Sequence, residues 1–139
     1  MKYHSKKTEV NGIVFDSKLE SDRFQQLLLL EQAGEISGLQ LQVEFQILKG
    51  WKNPGIISEC GIDEDGDTVY HITETPSKAG ERIKSRFYVA DFVYYDTRTK
   101  HWVIEDTKGM ETAEFRLKWA MVKSLYPQYE FRKVTRDDV

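Results

Sequence analysis

Between Tyr88 and Gly109 the chain reads YVADFVYYDTRTKHWVIEDTKG, two β-rich runs on either side of a polar turn. Asp91 lies in the middle of the first run, and the second ends Glu105-Asp106-Thr107-Lys108-Gly109. Side chains alternate across a strand, so Asp106 and Lys108 project from one face and Thr107 from the other. Asp91 can meet that face from the neighbouring strand, where directly opposed positions lie roughly 5 Å apart. Two bare carboxylates at that spacing repel. They become favourable once they share a hard cation such as Mg²⁺ or Mn²⁺, which takes oxygen ligands and keeps several waters. Such an ion polarises a phosphoryl oxygen and lowers the pKa of a bound water. The Lys108 ammonium beside it can orient the attacking water and stabilise the negative charge that develops in the transition state. The competing reading is a set of ordinary charges emerging into solvent at strand ends. Asp91 argues against it, because Val89, Ala90, Phe92 and Val93 flank it, and a charge inside such a run is costly unless paired or metal-bound. Glu105 alternates onto the opposite face with Val103 and Thr107. Only a bulge would turn it inward.

Asp91 followed by Asp106-Thr107-Lys108 resembles the PD-(D/E)XK nuclease superfamily. The whole chain resembles a family of small phage and prophage proteins within it. The matching pieces are KKTEVNGIVFDSKLE, GEISGLQLQ, YVADFVYYD, VIEDTKG and the helix ending SLYP, which together cover most of the chain outside residues 50–85. Ala90 stands where the superfamily has Pro, and Asp106 is one methylene shorter than Glu. The resemblance implies an α/β fold with a restriction-endonuclease-like core, Mg²⁺ or Mn²⁺ as cofactor, DNA as partner, and metal-dependent endonucleolytic cleavage in a phage context. Asp91 and Asp106 would hold the metal, an acid on the first helix (Glu20 in FDSKLE) would join its shell, and Lys108 would handle the attacking water. Small dimeric nucleases of this fold resolve junctions, so branched DNA is the expected substrate and a homodimer the expected assembly. The second function class is a noncatalytic DNA-binding or assembly module that kept the nuclease fold. The intact Asp91, Asp106 and Lys108 argue against it. No residue distinguishes DNA from RNA as substrate.

The elements that must position these residues follow from periodicity. Residues 2–15 read as a basic arm, Lys2, His4, Lys6 and Lys7, leading to the apolar run Ile13-Val14-Phe15. Lys6 and Lys7 belong either to a solvated terminus or to a phosphate-contacting arm. A helix is expected from Asp16 or Ser17 to about Gln32, with Leu19, Phe24, Leu27, Leu28 and Leu30 on its apolar side and Gly34 at its C-terminal cap. Ser17-x-x-Glu20 matches a capping box. One carboxylate cannot fully serve both that cap and a metal. Leu39 to Leu48 alternates as a strand, with Leu39, Leu41, Val43, Phe45 and Ile47 on one face and Gln40, Gln42, Glu44 and Gln46 on the other. That polar row is either a solvent face or an approach to the metal or the DNA backbone, and the resemblance favours Gln42. Glu111 to Tyr126 reads as a second helix with Thr112 as a plausible N-cap and a stripe of Phe115, Trp119, Val122 and Leu125. Lys118 on it is either solvated or turned to the site. Tyr129 to Thr135 completes the set as a final strand. The result is one domain over residues 1–139, a mixed central sheet flanked by helices.

Residues 50–85 fall outside the resemblance and read as an inserted hairpin or loop region. Ile56–Ile62 and Thr68–Thr75 can pair across the acidic turn 63–67. Asp63, Asp65, Asp67 and Glu74 sit at calcium-loop positions, but the glycine such a loop needs is Thr68 and no helices flank it.

The 139 residues suffice for one core, and 40% hydrophobic with 31% charged residues is a globular composition. A lone cysteine, Cys60, excludes an intrachain disulfide and a cysteine-based zinc cluster. No 18-residue apolar run exists, so no membrane span is expected. MKYHSKKTEV lacks a signal-peptide apolar segment, which makes the cytoplasm, of the host if phage-encoded, the expected location. The net charge of −3 is local in origin. Residues 51–85 hold four Lys/Arg against seven Asp/Glu, and the rest holds sixteen of each, so a neutral scaffold can still meet phosphates.

Overall fold

In the computed structural model, residues 7–52, 56–74 and 80–139 are described. Lys6, residues 53–55 and the segment 75–79 lie outside them. The chain forms two compact units, one of residues 1–47 with 87–139 and one of residues 48–86. The fold is mixed α/β.

The described part of the first unit begins with a hairpin of β1 (Thr8–Val10) and β2 (Ile13–Phe15) within the stretch expected to be an arm; residues 1–6 lie outside the described residues. Asn11 and Gly12 turn it with φ of 53° and 78°, the paired positive values of a two-residue type I′ turn. Helix α1 follows over Lys18–Gln32, with the Ser17 hydroxyl capping Glu20 N. It ends in a Schellman arrangement: Gly34 N donates to Glu31 O, Glu35 N donates to Leu30 O, and Gly34 takes φ +77°.

Four strands form the main sheet in the order β10 (Glu130–Val134), β9 (His101–Thr107), β8 (Arg86–Asp96), β3 (Ile36–Leu48). β8 and β9 are antiparallel; β9 and β10 are parallel. Parallel neighbours need a crossover, and helix α2 (Ala113–Leu125), capped by the Thr112 hydroxyl on Phe115 N, supplies it. Leu125 is 53% exposed, so the buried stripe of α2 is Phe115, Trp119 and Val122 and stops one turn earlier than its periodicity suggests.

The core has two clusters. One joins Phe45, Ile47, Tyr88, Ala90, Val93 and Ile104 to α2, with Val43 packed against it. The other joins Phe15, Phe24, Leu27, Phe92, Tyr94 and Val103 on the α1 side, with Leu39 and Leu41 packed against it. Alternate residues of a regular strand share a face. Yet β3 sends 39 and 41 to one cluster and 43, 45 and 47 to the other, and β8 does the same with 92 and 94 against 88 and 90. Both strands change faces, β3 around Gln42 and β8 around Asp91. Gln42 has φ +51°, a left-handed conformation that a non-glycine residue adopts at a cost on the order of 1 kcal/mol.

In the second unit, β4 (Trp51–Lys52) pairs with β7 (Arg82–Ile83), and β5 (Ile56–Ile62) pairs with β6 (Thr68–Glu74). The β5–β6 hairpin is the one the sequence suggests, and its Asp63 Oδ1 caps the turn by accepting from Asp65 N and Asp67 N. Among the described residues neither pair is hydrogen-bonded into the four-stranded sheet. Replacing residues 56–75 with a short Gly/Ser linker is therefore expected to leave the first unit folded. Far-ultraviolet circular dichroism and a thermal melt check this, and loss of cooperative unfolding would assign the hairpin to the main core.

Candidate metal centre

The β8–β9 ladder runs from Asp96↔His101 to Phe92↔Glu105. One step beyond, a side chain takes over from backbone: Asp91 Oδ2 accepts from Thr107 N at 2.9 Å and from Thr107 Oγ1 at 2.8 Å. That holds the Asp91 carboxylate at the mouth of the strand pair. Asp106, on the α2 face of β9, is 2% exposed. Its Oδ2 accepts a short hydrogen bond from the buried Tyr88 hydroxyl. Its Oδ1 lies 3.0 Å from Lys108 Nζ, yet no donor is aligned on it for a hydrogen bond among the described residues. Lys108 N donates to Val134 O at 2.9 Å, and its ammonium sits 4.4 Å from the centre of the Phe115 ring. Backbone pairing to β10 and a cation–π contact with α2 thus hold the lysine beside Asp106.

Glu20 arrives from the first turn of α1. Only half of the expected capping box forms: the Ser17 hydroxyl accepts from Glu20 N at 3.1 Å. The Glu20 carboxylate turns the other way and accepts from Gln42 Nε2 at 2.9 Å. The backbone of Glu20 serves the cap, and its side chain is free of the cap and meets Gln42. Gln42 is the exception in its polar row, drawn to the site by the left-handed turn of β3.

Burial and neighbouring carboxylates raise the pKa of two acids here, Glu20 and Asp106. Burial, then the charge of Asp91, then Asp16 and Asp106, push the Glu20 carboxyl up to about 8, against a smaller opposing effect of Lys108. Burial and the charge of Asp91 push Asp106 up to about 7, with Lys108 and the Tyr88 hydrogen bond opposing. Tyr88 is driven upward by burial and by Asp106, so it stays a donor. A carboxyl raised in the fold stabilises the protein below its unfolded pKa and loses that contribution as pH rises through its folded value. The metal-free protein therefore carries a stability penalty that grows from about pH 4.5 to about pH 8. Glu20→Gln is expected to remove part of it. Melting curves in EDTA at pH 5 and pH 8.5 should show the variant gaining on wild type at the higher pH. If Glu20 also serves the chemistry, the same variant loses far more activity than stability. A flat difference between the two pH values would mean Glu20 is not held as a raised acid.

Glu105 is fully buried on the α1 face. Arg23 Nε and Nη2 each donate to it at 2.8 Å, and the Tyr94 hydroxyl donates at 2.7 Å. This bidentate pair ties α1 to β9 and leaves Glu105 no part in the Asp106 side of the sheet. Lys118 makes an ion pair with Glu114 at 3.1 Å and lines, with Asp106, Lys108 and Thr112, an open cleft of about 250 Å³. Glu20 and Gln42 line a second cleft of about 270 Å³ against the β1–β2 hairpin. Lys7 is exposed ahead of β1.

The donors fit a hard divalent cation in part. All are oxygens, and the buried Asp106 Oδ1 lacks an aligned partner. Among the described residues no three His, Cys, Asp or Glu side chains close into a cage. The arrangement suits an ion that takes one or two carboxylates and fills its shell with water and substrate, as Mg²⁺ does. Asp91 and Asp106 are the two neighbouring carboxylates that could supply such ligands, with Glu20 in electrostatic range of both.

Tyr88, Thr107 and Phe115 hold the site, and the sequence marks none of them for that role: Phe115 reads only as part of the apolar stripe of α2. Tyr88 is three residues from Asp91, an odd spacing that alternation places on the opposite face, so periodicity hides it. Thr107 is visible only as the residue between Asp106 and Lys108.

A family model described as "Protein of unknown function (DUF1064)" matches residues 1–137. The chain belongs to the DUF1064 family. Comparison with curated proteins and with solved structures gave no match. The match runs through both structural units, so residues 48–86 belong to the family's pattern along with the sheet that carries the acids. No helix is long and apolar enough to cross a membrane among the described residues.

Proposed function

We propose that this DUF1064 protein is a metal-dependent DNA endonuclease of the PD-(D/E)XK type, with a restriction-endonuclease-like core and branched DNA as its preferred substrate. The observation that carries the reading is the buried Asp106, paired to Lys108 at 3.0 Å, raised in pKa by burial and by the charge of Asp91, and with no donor aligned on its Oδ1 among the described residues. In a protein without catalytic use for it, a buried acid in that state is costly. Asp91 and Asp106 would hold Mg²⁺ or Mn²⁺. When bound, the ion would polarise a phosphoryl oxygen and acidify a water.

The protein's own groups do the rest. Thr107 fixes Asp91 by two hydrogen bonds, and Tyr88 fixes Asp106, so neither carboxylate must be reorganised during reaction. Lys108, braced on Phe115, places its ammonium where charge develops on the scissile phosphate. Gln42 orients Glu20 toward the same centre. Open clefts on both sides, one lined by Lys108 and Lys118 and one by Gln42, suit an extended backbone crossing the strand ends.

The test is incubation with supercoiled, linear, single-stranded and four-way-junction DNA in Mg²⁺, Mn²⁺ or EDTA. Cutting in either metal and none in EDTA is expected, fastest on the junction. Binding without cutting in any metal would favour the noncatalytic module.

A further inference from the structure

The second unit carries a cationic cleft of its own. Its floor is the short β4–β7 pair, where Trp51 opposes Ile83 and Lys52 opposes Arg82. Like charges directly opposed on paired strands are destabilising, and among the described residues no carboxylate lines this cleft, whose volume is about 410 Å³. Lys84 adds a third cation to the lining. None of the three forms an ion pair among the described residues, although eight such pairs occur elsewhere in them. In a chain of net charge −3 such a cluster is not a reflection of bulk composition. Trp51 is 50% and Ile83 42% exposed, leaving an indole and an aliphatic side chain open to solvent beside the cations. The cleft is closely built. Gly50 N donates to the Ser85 hydroxyl at 3.0 Å, and a Cβ at Gly50 would meet that same oxygen at 3.0 Å and Ile83 O at 3.3 Å.

We infer that this cleft binds an unpaired nucleic-acid strand, with phosphates on Lys52, Arg82 and Lys84 and a base stacked on Trp51. Opposed cations call for a polyanion. The exposed indole selects one whose planar groups are free to stack, which a duplex does not offer. The choice of nucleic acid rests on the nuclease reading; the site itself does not depend on the chemistry at Asp91 and Asp106. It would give the protein a hold on the single-stranded part of a branched substrate.

Fluorescence anisotropy of a labelled oligothymidylate in EDTA tests it. Trp51→Ala should weaken binding about 10-fold, the scale of one lost base–aromatic stack, and Trp51→Phe should restore most of it. Lys52→Gln with Arg82→Gln should lower the slope of log affinity against log salt by about 1.4, two released counterions on a single strand. Wild-type binding by all three variants overturns the proposal. So does equal binding of polyglutamate or anionic phospholipid vesicles, which would make the surface a docking site for an acidic protein or a membrane. Trp51-dependent binding by a protein that cuts nothing in Mg²⁺ keeps this site and removes the nuclease reading; cutting that is indifferent to Trp51 does the reverse.

Discussion

Asp106→Ala is expected to leave a folded protein that cuts no DNA. Asp106 is the most deeply buried of the three acids, at 2% exposure, and its Oδ1 has no aligned donor among the described residues. Removing it deletes one of two carboxylates able to hold a cation, and Asp91→Ala deletes the other. Two effects oppose each other in stability. Loss of the charge relieves repulsion with Asp91 and Glu20, while the Tyr88 hydroxyl loses its acceptor at a cost of about 1–3 kcal/mol. Asp106→Asn separates them, because the amide oxygen still accepts from Tyr88 and no charge remains. Since burial and Asp91 push the Asp106 carboxyl up to about 7, wild type loses stability as pH rises from its unfolded value toward that point. Asp106→Asn should therefore melt near wild type at pH 5 and above it at pH 8, both in EDTA. Metal should raise the melting temperature of wild type and not of either variant. Cleavage at the wild-type rate by Asp106→Ala and Asp91→Ala would remove the assignment of the site.

Lys108→Ala is expected to lower the cleavage rate by roughly 10²–10³, the scale seen when one preorganised electrostatic group is lost. Metal affinity should be kept or rise. The ammonium lies 3.0 Å from Asp106 Oδ1 and lowers that carboxyl's pKa, so without metal it is the countercharge that a cation must compete with. The same contact predicts that Lys108→Ala destabilises the metal-free protein and enlarges the stabilisation gained on adding Mg²⁺. Lys108→Arg should not rescue the rate, because the wider guanidinium cannot take the place of a compact ammonium between Asp106 and the Phe115 ring. Single-turnover cleavage paired with a metal titration on one preparation decides this. A parallel fall in rate and affinity would make Lys108 a structural support of Asp106 instead.

Much of the scaffold follows from local rules that act within a few residues. Apolar spacing and caps place α1 and α2 within two or three residues of where they lie, because Ser17, Thr112 and Gly34 satisfy or terminate their own helix ends. Alternation marks β3, β8 and β9, and the side of β9 that each of Glu105, Asp106 and Lys108 takes. The Asn11-Gly12 hairpin is equally local, but the reading of residues 2–15 as a basic arm passed over that turn dipeptide.

What local rules do not carry is the change of face at Gln42 and Asp91. Both strands keep an alternating pattern straight through it, since the residues on either side of the switch are apolar at the same parity and merely enter different clusters. Only the packing of α1 on one side of the sheet and α2 on the other shows that the pattern has changed partners. That switch brings Tyr88 to Asp106, Asp91 to Thr107 and Gln42 to Glu20. It also turns the Glu20 side chain away from the cap, because Gln42 is there to meet it, and Glu105 lies on the other face, where Arg23, 82 residues away in the chain, holds it. Residue types and spacing name the acids and the lysine. The burial of Glu20 and Asp106, which raises their pKa, is a property of two helices closing over a sheet that no single segment encodes.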